Sequence, residues 1–280
     1  KTPTALRIAK LVRNLGFEPV FLSRGYGGTL AGPIRVDVTR HGARDSGDEP
    51  LLLARCAAAI VSRDRARGAQ MIESTFGAKT VVIMDDGLQN PTLAKDLSIA
   101  LVDAERGFGN GDVIPAGPLR APLGVQQKLI DAVLINGTGR MSPFAVLAAL
   151  PGFAGDVLTA HVEPIDATTY RGQRYVAYAG IANPQRFFSL LRRLGATVVD
   201  TIEFADHHAF AETDAARLIA IADQYGANLV TTAKDAARLM GATGVRSDLM
   251  RRTSVLGIAL IFDGDSEARL SRLIAERIAR

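Results

Sequence analysis

The chain has 280 residues, 48% of them hydrophobic and 22% charged, with a net charge of +4 at pH 7. That balance belongs to a globular protein of one large or two smaller domains, and it excludes collagen, coiled coil and disorder as descriptions of the whole. One cysteine, Cys56, excludes a disulfide framework and a thiolate metal cluster within one chain, aromatic residues at 6% with no Trp argue against a stacking platform for single strands, and the mild positive charge favours anionic partners.

In chain order, the pattern is short β-branched runs alternating with helical stretches, the signature of α/β units around a mostly parallel sheet. Leu6, Ile8, Leu11, Val12 and Leu15 form an apolar stripe that predicts a helix over 4–15, ended by Gly16. A short strand over 19–22 runs into the glycine-rich loop 23–28. A helix is predicted over 48–59, with Pro50 in its first turn, where a missing N–H costs little. Apolar strands over 80–84 and 97–102 each stop at an acid, Asp85 and Asp103, and a further strand covers 132–135. Extended segments over 158–162 and 174–178 flank a turn near Arg171-Gly172 and read as a two-stranded link. A second α/β set follows: helix 184–194, strand 197–204, helix 213–225, strands 228–231 and 256–262, and a C-terminal helix from Ser266. The expected domains are therefore a core over 1–157, a two-stranded linker over 158–178 and a smaller α/β lobe over 179–280. No apolar run reaches the ~18 residues of a membrane span, and no signal peptide is visible.

Several short motifs carry chemistry. Lys1-Thr2 before an amphipathic helix is what remains of a G-x-x-x-x-G-K-[ST] phosphate loop once its glycines are removed, so residues are expected upstream. Such a motif places an ammonium over the β/γ-phosphates and a hydroxyl on Mg²⁺ at a helix N-terminus; an arbitrary start to the chain would read the same. Val81-Val82-Ile83-Met84-Asp85-Asp86 is an apolar strand ending in acid, which presents carboxylates to Mg²⁺ in a Walker-B element and otherwise simply starts a turn. In Gly47-Asp48-Glu49-Pro50, Asp48 is either a helix cap or a carboxylate poised to take a proton from an attacking hydroxyl. In Ala205-Asp206-His207-His208, neighbouring side chains point opposite ways, which favours one His as the partner of a carboxylate over a two-His metal site. The glycine-rich loops 106–112 and 115–120 are long for plain connectors. In Thr231-Thr232-Ala233-Lys234-Asp235 the Lys and Asp are adjacent, whereas a guanine-specificity motif separates them by one residue, so GTP is not supported.

The order of these motifs resembles one family. KTP, SRGYGG, GDEP, DDGLQ, RGFGNGD, PAGPLR, ADHH and TTAKDAARL, from Lys1 to about Leu239, together resemble the tetraacyldisaccharide 4′-kinase family of lipid A biosynthesis. The resemblance implies a P-loop kinase core with a smaller α/β lobe. It implies transfer of the ATP γ-phosphate to the 4′-hydroxyl of tetraacyldisaccharide 1-phosphate, giving lipid IVA. It also implies a peripheral protein on the cytoplasmic face of the bacterial inner membrane, with a lipid substrate, no nucleic acid and no protein partner. By position, Lys1 and Thr2 match the P-loop Lys and the Mg²⁺-binding Thr. Asp48 matches the proposed catalytic base and His207 its partner. Asp85 and Asp86 match the Walker-B-like acids, Gln89 lies in the same motif and binds with the nucleotide and metal shell, and Arg120 matches an arginine near the phosphates. Many family members carry Glu after that arginine; this chain has Ala121, so Mg²⁺ would rest on Thr2, Asp85, Asp86 and water. Arginines at 192–193 and 251–252 are candidates for anionic headgroups. The alternatives are another P-loop NTPase acting as an ATP-driven switch, or a non-catalytic nucleotide- or lipid-binding module.

Overall fold

The computed structural model describes residues 1–279. Its strands are, in chain order, β1 (Glu18–Ser23), β2 (Ile34–Arg35), β3 (Ala59–Val61), β4 (Thr80–Met84), β5 (Ile99–Asp103), β6 (Ala132–Asn136), β7 (Asp156–Pro164), β8 (Arg174–Ala179), β9 (Thr197–Glu203), β10 (Asn228–Thr232), β11 (Thr253–Leu256) and β12 (Ile258–Phe262). The chain divides into two compact units, each discontinuous in sequence. The first comprises residues 1–19, 76–163 and 259 onward, and the second 20–75 and 164–258. Boundaries at 157 and 178 do not coincide with this division. Nor do the strands at the two ends of 158–178 pair with each other: β7 lies between β12 and β6, whereas β8 lies between β10 and β9. Two apolar runs around a Gly turn read alike whether they form a ribbon or enter separate sheets.

In the first unit the sheet order is β12-β7-β6-β5, and β5, β6 and β7 run parallel. A parallel strand covered on both faces is apolar at every position, and β6 shows why. Ala132 and Leu134 pack with Leu11 and Val12 of the Thr2–Asn14 helix and with Leu270 and Ile274 of the Ser266–Ile278 helix. Val133 and Ile135, pointing the other way, pack with Val146 and Leu150 at the Pro143–Ala149 helix. The β4 strand contributes Val81 and Ile83 to the first of these clusters, while Val82 is exposed.

The second unit repeats the plan. Its sheet β11-β10-β8-β9 is parallel throughout. Tyr175, Ala177 and Ala179 face Phe187, Phe188 and Leu191 of the Pro184–Arg193 helix. Val176 and Tyr178 face Ala215, Leu218 and Ala222 of the Glu212–Tyr225 helix. Side chains of the size of Phe188 and Leu218, wholly buried here, contribute about 1.5–3 kcal/mol each. A smaller group of strands, β2-β3-β1, carries Phe21, Leu22 and Ile60 into the same unit's interior.

Three elements differ from the sequence reading. The helix predicted over 48–59 ends at Ala54, because Ala59–Val61 pairs in parallel with β1, Phe21 opposite Ala59. The strand predicted over 256–262 is two strands broken at Gly257, each in the sheet of a different unit. The Arg65–Thr75 helix has no counterpart in the sequence reading; a Cβ on its Gly68 would meet Leu22 Cδ1 at 2.6 Å and Ser62 Cβ at 2.8 Å, so close approach to β1 requires glycine.

Candidate active site

In the first unit, the Thr2–Asn14 helix starts directly after Lys1, with Pro3 in its first turn. Lys1 Nζ reaches Asp86 Oδ1 at 2.6 Å, and both terminal nitrogens of Arg120 reach Asp86 Oδ2 at 3.1 Å. Two cations thus share one carboxylate at the end of β4. Burial pushes the Asp86 carboxyl up, but the hydrogen bonds and charges of Lys1 and Arg120 outweigh it and hold the group below the usual carboxylate range. Asp86 has φ 55, one of the positive values found among described residues other than glycine. Asp tolerates that conformation better than most residues, and here it turns the carboxylate toward the helix start.

Arg120 is delivered by loops 106–112 and 115–120, which fold as one piece. Asn110 donates to Asp112 and to the Ala116 carbonyl, both at 2.9 Å, and the Ile114 N–H donates to the Leu119 carbonyl. Among the described residues Gln89 makes no hydrogen bond to Asp85 or Asp86; it donates to Gln126 Oε1 at 2.9 Å, and Gln126 donates to the Ala121 carbonyl. Its place in the DDGLQ motif therefore ties that turn to the loop holding Arg120.

The metal question can be tested on Thr2. Its side chain is 6% exposed, and its Oγ1 is buried with no hydrogen-bond partner among the described residues. An orphaned hydroxyl at a helix start, in the same unit as the Asp85-Asp86 carboxylates, suits Mg²⁺, which takes few protein oxygens and completes its shell with phosphate oxygens and water. No group of three or more His, Cys, Asp or Glu able to hold a metal by itself occurs among the described residues. The donor set fits an ion carried with a nucleotide, not a protein-only cage.

In the second unit, Asp48 opens the Asp48–Ala54 helix after Gly47, whose φ is 88. A Cβ on Gly47 would lie 2.5 Å from the Tyr26 carbonyl, and one on Gly28 would lie 2.5 Å from the Asp45 carbonyl. The SRGYGG and GDEP segments therefore pack backbone to backbone, which is why both carry glycine. Asp48 is 4% exposed. Its Oδ1 accepts the Glu49 N–H at 2.8 Å, and its Oδ2 lies 3.2 Å from His207 Nδ1. Oδ2 also accepts from Arg238 Nε at 3.0 Å and from Arg238 Nη2. Burial pushes the Asp48 carboxyl up, yet Arg238, with the charges of His207 and Lys234, holds it below its ordinary value.

His207 is also left-handed, with φ 59, a conformation uncommon for His. Its N–H donates to the Gly180 carbonyl at 3.1 Å and to Asp206 Oδ1 at 3.0 Å, and its ring meets the exposed Tyr26 edge-on at 5.5 Å. Left-handed non-glycine residues cluster at functional sites, and here Asp86 and His207 both belong to the candidate set. His208 faces elsewhere, stacked on Phe204 and bonded to Asp214 at 2.8 Å. The tandem His is thus one site residue and one helix-capping partner, as opposite-pointing neighbours require.

Of the residues singled out in the sequence, the fold joins Lys1, Asp86 and Arg120 in one unit and Asp48 and His207 in the other. Arg238 and Asp235 were not singled out as site residues; the only signal for them was their presence in TTAKDAARL. Arg251 and Arg252, candidates for headgroups, are already paired with Asp248 and Asp223.

The comparisons agree with the motif order. The family described as tetraacyldisaccharide-1-P 4′-kinase, LpxK, matches residues 1–278. The chain is 46% identical over 281 residues to the tetraacyldisaccharide 4′-kinase of Rhodopseudomonas palustris (strain BisB5), covering 99% of this chain and 80% of that one. It is 48% identical over 276 residues to the protein of that name in Methylobacterium nodulans, covering 98% and 79%. The crystal structure of LpxK from Aquifex aeolicus in complex with ATP is similar in fold, with a TM-score of 0.72 at 22% identity, covering 99% of this chain and 84% of that one. The match along nearly the whole sequence means that the chain belongs to the tetraacyldisaccharide 4′-kinase family.

Proposed function

We propose that the chain transfers the γ-phosphate of ATP to the 4′-hydroxyl of tetraacyldisaccharide 1-phosphate, giving lipid IVA in lipid A biosynthesis. The observation that carries this reading is the buried Asp48 carboxylate bonded to the half-exposed His207 imidazole, a pair suited to taking a proton from an attacking alcohol. As the hydroxyl oxygen bonds to the γ-phosphorus, the bond from phosphorus to the bridging oxygen breaks, ADP leaves with the electron pair, and Asp48 takes the hydroxyl proton. His207 orients the carboxylate. Lys1 and Arg120 offset charge on the transferring group. Thr2, Asp85 and Asp86 would hold Mg²⁺, which when bound neutralises charge on the β- and γ-oxygens. Gln89, through Gln126, keeps the Arg120 loop in place.

A radiolabelled ATP assay with tetraacyldisaccharide 1-phosphate tests the reading. Label should appear in the lipid only with Mg²⁺ present, and chelation should abolish it. ATP hydrolysis at the same rate without lipid would instead favour a nucleotide-driven switch.

The acceptor carries four acyl chains, so the protein is proposed to work at the cytoplasmic face of the inner membrane as a peripheral protein. No helix of the described residues is long and apolar enough to cross a membrane. Phe144, 82% exposed, and Leu147, 45% exposed, stand one turn apart on the Pro143–Ala149 helix and suit shallow contact with lipid. Phe144→Ser should lower the fraction of protein that sediments with vesicles of mixed neutral and anionic lipid. Equal sedimentation of wild type and variant would remove Phe144 from membrane contact. No nucleic acid or partner protein enters this reading.

A further inference from the structure

The TTAKDAAR segment, which the nucleotide chemistry leaves unused, supplies a buried network behind the base. Thr232 caps the Ala233–Leu239 helix, its hydroxyl accepting the Asp235 N–H at 3.2 Å and donating to Asp235 Oδ2 at 2.6 Å. Asp235 is wholly buried, and its Oδ1 accepts the Gly180 N–H at 3.0 Å and Arg238 Nη1 at 2.7 Å. Arg238, one turn on, has only 6% of its side chain exposed. Its Nη1 also donates to the Gly180 carbonyl at 2.7 Å, while Nε and Nη2 donate to Asp48 Oδ2. The same Gly180 carbonyl accepts the His207 N–H. Arg238 thus touches Asp48 directly and reaches the His207 backbone through one shared oxygen. Gly180 itself is closely enclosed, since a Cβ would meet the Ala205 carbonyl at 3.0 Å and Asp235 Oδ1 at 3.2 Å.

We propose that Arg238 is a positioning residue for phosphoryl transfer, fixing the Asp48 carboxylate in one orientation and, through Gly180, holding His207 against it. The proposal rests on the kinase reading above. A carboxylate oxygen has about two lone pairs, and Oδ2 faces three donors, two from Arg238 and one from His207. Oδ2 is therefore committed to the protein, and Oδ1, which accepts the Glu49 N–H, is the oxygen with capacity for the substrate proton. A planar fork with donors on all three nitrogens makes the four hydrogen bonds to Asp48, Asp235 and the Gly180 carbonyl at once; a lysine ammonium, with three donors on one nitrogen, cannot make all four.

The charged groups that face Asp48 are Arg238, Lys234 and Asp235 from the Ala233–Leu239 helix, His207 from the segment after β9, and Glu49 from its own helix. Removing Arg238 leaves burial less opposed, so the Asp48 carboxyl should titrate higher. In Arg238→Gln, kcat should fall about 10²-fold, the scale of an approximately 1 Å misplacement, with KM for ATP unchanged. The acid limb of its kcat–pH profile should move to higher pH, and Arg238→Lys should recover part of both effects. A folded variant whose acid limb stays at the wild-type pH overturns the proposal, whatever its kcat; if Arg238→Gln does not fold, Arg238→Lys decides by the same readout. Should wild type show no acceptor-dependent turnover, the kinase reading fails, and the crystal structure of Arg238→Gln then decides the positioning role alone. A displaced Asp48 carboxylate or a lost contact between His207 Nδ1 and Asp48 Oδ2 supports it, and an unchanged pair overturns it.

Discussion

Asp48→Ala should lower kcat by about 10²–10⁴-fold, the range for loss of a general base, and leave KM for ATP unchanged. The groups assigned to the nucleotide, Lys1, Thr2, Asp86 and Arg120, lie in the other compact unit, so truncation at Asp48 removes none of their contacts. The fold should tolerate the change, because Arg238 retains Asp235 and the Gly180 carbonyl as acceptors. Asp48→Asn, which keeps the shape and loses the basicity, should be impaired to a similar degree. Steady-state kinetics with saturating ATP and lipid check both variants; a kcat within twofold of wild type in either would withdraw the base assignment. The pH dependence has a definite sign. Because Arg238, against the opposing effect of burial, holds the Asp48 carboxyl below its ordinary value, this carboxylate stays ionised through neutrality. Its protonation should reduce turnover only below the ordinary carboxylate range.

What the sequence made legible followed from local physics. The run 132–135 is apolar at every position, as is 81–84 after Thr80, both are bounded by acids or polar residues, and they form β6 and β4 almost to the residue. The Asp48 helix overran to Ala59 because Ala57-Ala58-Ala59-Ile60-Val61 carries no stop, and a short apolar run does not distinguish a helix end from a buried strand. Only its pairing with β1 decides that. The break at Gly257 was hidden for the same reason. Among the candidate site residues, Lys1 and Asp86 each sit in a motif with its own chemistry, whereas Arg120 enters only through the resemblance to a family. Asp48 and His207, 159 positions apart, meet through tertiary structure alone, and only the resemblance to a family joined them beforehand. Arg238 had no such help, since an Arg one turn after an Asp on a short helix looks like an ordinary solvated pair. Its near-complete burial is what changes its meaning.

That burial sets the largest expected effect on stability. In Arg238→Met, Asp48 and Asp235, 4% and 0% exposed, lose the guanidinium that both share. Breaking a buried ion pair by removing one partner costs about 3–5 kcal/mol, because the charges left behind are neither solvated nor paired. Urea denaturation at pH 7 should show a deficit of about that size, with no comparable change in Arg251→Met, whose Asp248 pair is exposed. The deficit should also shrink on acidification. In wild type the Asp48 carboxyl is held low in the folded state, so its contribution is present above the unfolded pKa and is lost as pH falls through the folded one. In the variant both carboxyls should be pushed up by burial without the guanidinium to oppose it, so protonation removes the buried charge and restores stability as pH falls. The gap between the two proteins should therefore narrow from pH 7 toward pH 5. A deficit below about 1 kcal/mol at pH 7, or one that stays constant with pH, would mean that water or Lys234 replaces the guanidinium and that the buried network does not depend on Arg238.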